Sequence, residues 1–261
     1  MKGNPGTKIV IANRRNEKLV GLLHETGSRE VVVLCHGFRS NKDNTILKNM
    51  TAALEKEGIS AFRFDFSGNG ESEGNFYYGN FNNEADDDLH MVIQYLCNTM
   101  NRVVPVILGH SKGGDVVLLY ASKYGDTIRS VVNISGRFDL KKGIRLGDDY
   151  MEKIREQGFI DAKEGKSCFR VTEESLMDRL NTDMHEACLK IGRKCKVLTV
   201  HGSDDTVVPV EDAKEFAKII PNHNLEIVQG ANHGYTKHQK QLVSTAMEFI
   251  KTVIHEVHLS L

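Results

Sequence analysis

Residues 103–120, VVPVILGHSKGGDVVLLY, decide how this chain is read. The first half is apolar and β-branched with little alternation, as in a parallel strand covered on both faces. The second half has a helical period. Between them lies Gly109-His110-Ser111-Lys112-Gly113, a G-x-S-x-G pattern in strand–turn–helix context. A turn that sharp forces its serine into strained backbone geometry, so small residues are needed two positions before and two after it. It projects the serine Oγ from the carboxyl end of a strand, beside a helix N-terminus whose amides favour developing negative charge. A plain Gly-rich turn whose serine merely caps the helix uses the same residues, so the rest of the chain must distinguish the two.

Working outward, further short apolar runs read as strands: Glu30–His36, Ser60–Phe66, Ile128–Ser135, Lys196–His201 and Asn224–Gln229. Helix-like stretches separate them, at Asn44–Glu57, Asn83–Met100, Lys112–Tyr124, Val210–Ile220 and Lys237–His255. This alternation predicts an α/β fold with a mostly parallel central sheet flanked by helices. Lys8–Ala12 and Lys18–His24, joined by a polar turn, read as an antiparallel hairpin at one edge. Residues 137–193 interrupt the rhythm, with no convincing strand. Of these 57 residues 24 are charged, about twice the density of the remainder, which predicts an inserted helical cap standing off the sheet. The expected division is a core of residues 1–136 and 194–261, with 137–193 as the cap.

Composition narrows the function. The 261 residues carry 34 Lys+Arg against 35 Asp+Glu, a formal net charge of −1, so no global field draws nucleic acid or an anionic membrane. Hydrophobic residues at 40% and charged residues at 26% are ordinary for a globular domain of this length. The five cysteines are scattered, with no C-x-x-C pair, and read as reduced thiols rather than a disulfide framework or zinc ribbon. The apolar run Ile9–Ala12 is too short for a signal peptide core or a membrane span. A cytoplasmic protein without stable membrane association is the expectation.

A nucleophilic serine needs a base, and the base an orienting acid. Val200-His201-Gly202-Ser203-Asp204-Asp205-Thr206-Val207-Val208-Pro209 follows one late strand, and Gly230-Ala231-Asn232-His233-Gly234 follows the next. Loops at the carboxyl ends of parallel strands converge on one edge of the sheet, where ligands bind. Two aspartates compete for the acid role; Asp205 is preferred for its spacing to Pro209, and Asp204 is assigned to stabilising the loop. His233 is the one histidine bracketed by small residues after a late strand. The oxyanion needs two preorganised donors: the backbone N–H of Lys112, and that of Phe38 in the loop His36-Gly37-Phe38-Arg39-Ser40. His36 is expected to brace this loop. The Lys112 side chain either bends to solvent, the preferred expectation, or lies near the site and attracts an anionic substrate group. Asp86-Asp87-Asp88 reads as an acidic helix start rather than a metal site.

Five motifs then occur in order: Gly37-Phe38, Phe64–Ser72 (FDFSGNGES), Gly109–Gly114, His201–Pro209 and Gly230–His233. Together, over residues 8–255, they resemble the α/β-hydrolases, and within them the serine aminopeptidase S33-like (hydrolase-4) group, including cinnamoyl and feruloyl esterases. The resemblance implies a Ser111–His233–Asp205 triad, oxyanion donors at Phe38 and Lys112, a lid after the sixth strand, and no metal or cofactor. The expected activity is serine-dependent hydrolysis of a small soluble carboxylic ester, with phenolic or cinnamoyl esters as candidates. An acylglycerol lipase, a thioesterase, an aminopeptidase and a small-molecule receptor on the same scaffold are the rivals. In the cap, Phe138, Tyr150 and Phe159, with Met151 and Phe169, are candidates to line a substrate pocket or to form the cap's own small core.

Overall fold

The computed structural model describes residues 5–125, 127–164 and 167–259. Eight strands form the main sheet: β1 (Thr7–Ala12), β2 (Lys18–His24), β3 (Val31–Cys35), β4 (Ser60–Phe64), β5 (Val106–His110), β6 (Ser130–Ile134), β9 (Lys196–Gly202) and β10 (His223–Val228). Their spatial order is β1-β2-β4-β3-β5-β6-β9-β10. The pairs β1–β2 and β2–β4 are antiparallel, and every other neighbouring pair is parallel. The chain runs outward from β3 to β4, then returns to place β5 on the other side of β3. That reversal opens a crevice at the carboxyl ends of β3 and β5, the usual ligand position in such sheets.

Strand alternation supplies two cores. Along β3, Val31, Val33 and Cys35 join one apolar cluster while Val32 and Leu34 join the other. The first lies under the helix Lys112–Tyr124 and the helical run 81–99; the second lies under the helices Thr45–Lys56 and Gln239–Leu259. Both faces are therefore covered, which is why the inner strands read as continuous apolar runs. At the edge, β10 alternates between exposed and partly buried positions.

The segment between β6 and β9 is not the all-helical insertion expected. Helix Tyr150–Gln157 ends at Gly158, in the left-handed conformation at φ 78°, and a hairpin follows: β7 (Phe159–Glu164) and β8 (Ser167–Thr172). Helices Glu173–Asn181 and Met184–Leu189 complete the segment. In the hairpin Ala162 and Val171 are buried, while Asp161, Lys163, Cys168 and Arg170 are exposed. This is a period-two pattern whose outer positions are almost all charged, so the charge density that marked the insertion also masked its strands. Asp161 and Arg170 face each other across it in a two-pronged ion pair at 2.8 Å. Ile154, Ala162, Val171 and Leu176 form a small separate core, closed by Tyr78 from the main body. Met184, Ala187 and Cys188 pack instead into the main core, so the last helix belongs with the sheet.

Candidate active site

The serine turn is as tight as its composition requires. Ser111 sits at φ 56°, ψ −123°, a conformation costly for a residue with a Cβ. A Cβ on Gly109 would lie 2.0 Å from the Gly113 carbonyl oxygen, and one on Gly113 would lie 2.5 Å from that of His36. The small residues thus press the serine turn against the end of β3. Asp205 and His233 arrive on the loops after β9 and β10.

The three side chains form one hydrogen-bonded chain. His233 Nε2 lies 2.9 Å from Ser111 Oγ, and His233 Nδ1 lies 2.7 Å from Asp205 Oδ2. The other carboxylate oxygen, Oδ1, accepts from the Val207 and Val208 amides, each at 2.8 Å. Burial pushes the Asp205 carboxyl up, but the His201 and His233 rings and the Val208 amide outweigh it and hold the acid well below the usual carboxylate range. An ionised Asp205 accepts a hydrogen bond from His233 Nδ1–H, which leaves Nε2 as the acceptor facing the serine hydroxyl. Asp204, by contrast, is exposed and takes the Ser203 hydroxyl at 2.8 Å.

Several braces hold this geometry. His36 Nδ1 bonds the Gly37 carbonyl at 2.8 Å while its Nε2 accepts from the Phe66 amide at 3.1 Å, so the ring ties the Phe38 loop to the end of β4. Burial lowers its pKa to about 4, consistent with a neutral brace. Asp65 takes the Lys42 and Glu71 amides and the Lys42 ammonium, fixing the loop 67–72. Asp86, Asp87 and Asp88 are spent on Lys123, Arg15, and Asn13 with the Ser67 amide, respectively. Among the described residues, the amides of Phe38 and Lys112 donate to no protein acceptor.

Two braces carry no motif in the sequence. Tyr235 is buried and donates to the Val200 carbonyl at 3.0 Å, so the Ser135 hydroxyl, 2.9 Å away, donates to it. His110 Nε2 donates to the His233 carbonyl at 2.9 Å, and burial, with a second imidazole beside it, lowers its pKa to about 4. Single buried Tyr and His residues look like ordinary core in a sequence. Their position next to Ser111 and His233 is the signal that was available.

The Lys112 side chain does not bend to solvent. It is buried, donates to Glu84 Oε1 at 2.8 Å and lies over the Phe81 ring. The reason is the start of the helical run 81–99, which packs across the helix following Ser111 and presents an acid to it. A cavity of about 400 Å³ opens beside Ser111, walled by Phe38, Tyr78, Phe81, Leu140, Phe169 and Val208. Of the aromatic candidates in the cap, Phe169 lines it. Phe138 instead packs edge-on to Phe216 at 5.2 Å, Tyr150 and Met151 pack on the small core, and Phe159 lies under Arg170. Phe138, Tyr150 and Phe159 are thus not among the residues lining the cavity, because packing needs within and below the cap absorb them.

A sheet of this topology, with a strained serine between strand and helix and His and Asp on two later loops, defines an α/β-hydrolase. The chain belongs to the serine aminopeptidase S33 (Hydrolase_4) family, whose model matches residues 26–186. Among solved structures it is similar to Est1E from Butyrivibrio proteoclasticus with ferulic acid bound. The TM-score is 0.83 and the identity 23%, covering 95% of this chain and 99% of that one. It is also similar to the Pyrococcus furiosus esterase Pf2001, at TM-score 0.72 and 23% identity over 94% and 90% of the two chains. A putative uncharacterized protein of Saccharomyces cerevisiae is 23% identical over 248 residues, 86% of this chain and 73% of its own length. No helix among the described residues is long and apolar enough to cross a membrane.

Proposed function

We propose that the protein hydrolyses carboxylic esters of small substrates through a serine acyl-enzyme, with no metal or organic cofactor. The observation that carries this reading is the unbroken chain from Ser111 Oγ through His233 to Asp205, with bonds of 2.9 and 2.7 Å, at the wall of an apolar cavity. Ser111 attacks the ester carbonyl while His233 Nε2 takes its proton; Asp205 holds the ring orientation and stabilises the imidazolium. The Phe38 and Lys112 amides receive the oxyanion. His233 then gives the proton to the departing alkoxide, and water, activated by the same imidazole, releases the acid.

Residues 137–193 serve in this reading as the lid that selects the substrate, through the part held by the small core. Aromatic packing supports a flat or extended acyl body: Phe38 meets Phe76, Tyr78 and Phe169 with ring centres 5.4 to 5.7 Å apart. The ferulic acid bound to the similar Est1E supports trying hydroxycinnamoyl esters first. Peptide cleavage from a free N-terminus is disfavoured, since the cavity offers one acid, Asp115, already bonded to the Arg137 amide, against five cationic side chains. A panel of phenolic, short-acyl, monoacylglycerol and thioester substrates, assayed with wild type and Ser111→Ala, tests the proposal. Turnover is expected for esters and abolished in Ser111→Ala. Hydrolysis that survives the substitution refutes it, and binding without turnover would mark a receptor.

A further inference from the structure

The cavity beside Ser111 is apolar along its walls and cationic at one end. Lys112, Arg137, Arg145, Lys163 and Arg179 line it, with Asp115 as the only acid among the lining residues. Lys112 is matched by Glu84. The other four make no ion pair with a carboxylate among the described residues. Arg137 and Arg179 are each 8% exposed, so these are buried guanidinium groups, normally tolerated only with a paired anion.

Their bonds to the protein go to backbone carbonyls. Arg137 Nη2 donates to Val207, while Arg179 donates from Nε to Leu140 and from Nη2 to Lys142, both at 3.0 Å. A guanidinium has five N–H donors. Arg137 Nε and Nη1, and Arg179 Nη1, therefore have no protein acceptor among the described residues. Gly143, at φ 68°, lies so close over Arg137 that a Cβ there would sit 2.5 Å from the guanidinium carbon. Tyr78 faces Arg179. Both forks are thus fixed in orientation while keeping donors unspent. Asp115 and Asp212 are near enough to feel Arg137, but each accepts a backbone amide, from Arg137 and Phe138, and burial pushes both carboxyls up. Burial and the neighbouring Arg137 both disfavour the charged form of Arg179.

We infer that this cavity takes an ester bearing a second, anionic group remote from the scissile carbonyl, a carboxylate held by Arg137 and Arg179 with Arg145 and Lys163 at the entrance. The inference rests on the esterase reading above and narrows its substrate class to amphipathic esters that carry a free carboxylate: an alkyl or aryl body against the Phe38–Phe169 wall, and an anion at the cationic end. A fork presenting parallel N–H donors suits a carboxylate better than a neutral hydroxyl. The anion can sit on the acyl side or on the alcohol side of the ester, and the two are separable by substrate.

The test compares matched pairs. Mono-4-nitrophenyl glutarate against its neutral methyl ester places the anion on the acyl side; 4-butanoyloxybenzoate against its methyl ester places it on the alcohol side. For at least one pair the anionic member should have the higher kcat/KM, by about ten- to hundred-fold, the size of one charge-assisted hydrogen bond. Added salt should reduce that ratio. Arg145→Glu and Lys163→Glu, at exposed positions, should lower it several-fold, acting through KM, and Arg179→Met should remove it. Because Arg179→Met removes a buried group and can fail to fold, the two exposed variants carry the test independently. Equal or poorer turnover of both anionic esters, with hydrolysis still lost in Ser111→Ala, overturns the inference and leaves the esterase reading standing. If no ester is turned over, thermal melting decides: monomethyl glutarate should stabilise Ser111→Ala and dimethyl glutarate should not. Equal effects of the two ligands overturn the inference in that case as well.

Discussion

Replacing Asp205 by Asn tests the reasoning about the site most directly, because the surrounding bonds dictate how the amide must lie. Oδ1 accepts from two backbone amides, Val207 and Val208, at 2.8 Å, so the asparagine oxygen has to face them. The amide nitrogen then occupies the Oδ2 position, 2.7 Å from His233 Nδ1. Two donors cannot face each other, so Nδ1 becomes an acceptor and the ring proton moves to Nε2, opposite Ser111 Oγ. The geometry survives while the base is lost. A wrong tautomer of this kind costs about 10⁴ in kcat, roughly 5.5 kcal/mol of transition-state stabilisation. Steady-state hydrolysis of 4-nitrophenyl butanoate gives the rate, and a thermal melt checks the fold. Asp204→Asn, at an exposed position, is the control, expected to stay within about two-fold of wild type. Activity of Asp205→Asn within ten-fold of wild type, with an unchanged melt, would refute the assignment.

Lys112→Met leaves Glu84 buried without its cation and should destabilise by roughly 3–5 kcal/mol in urea denaturation well above pH 7, where Glu84 is ionised in the wild type; adding Glu84→Gln should recover most of that. Burial raises Glu84 to about 7, against the pull of Lys112, from an ordinary 4.5. Folding therefore takes up a proton between those values, and stability should fall as pH climbs through that window, by up to roughly 3 kcal/mol. Glu84→Gln should flatten that slope, which urea melts at pH 4.5 and 7.5 can show. Tyr235→Phe strips the Val200 carbonyl and the Ser135 hydroxyl of a buried partner, an expected loss of roughly 1–3 kcal/mol by the same denaturation. Gly113→Ala forces a Cβ against the His36 and Cys35 carbonyls, at 2.5 and 2.6 Å. It should abolish soluble folded protein or lower the melting temperature by more than any surface change, as size-exclusion chromatography and a melt would show.

Much of the site is legible in the chain because its demands are local. The serine turn needs small residues at fixed offsets, and Gly109 and Gly113 are there because a carbonyl stands where each Cβ would be. Buried parallel strands are apolar on both faces, so β3, β5 and β6 stand out, and the loops that follow β9 and β10 carry Asp205 and His233 to a common edge. The hairpin β7–β8 was hidden because alternate positions carry charges, and short strands with a wet face resemble polar helix in composition.

By itself, then, the sequence determined the sheet, the turn and the three residues in line, since each follows from backbone geometry or strand burial over a few neighbouring positions. Tertiary structure alone decided the partners of the charges. Lys112 meets Glu84 from 28 residues away, and Arg137 and Arg179 converge on one cavity from opposite ends of the inserted segment. A cation in a sequence looks the same whether water, a carboxylate or an apolar wall surrounds it. Only the packing of distant segments removes the water, and that removal makes two of these arginines an anion site.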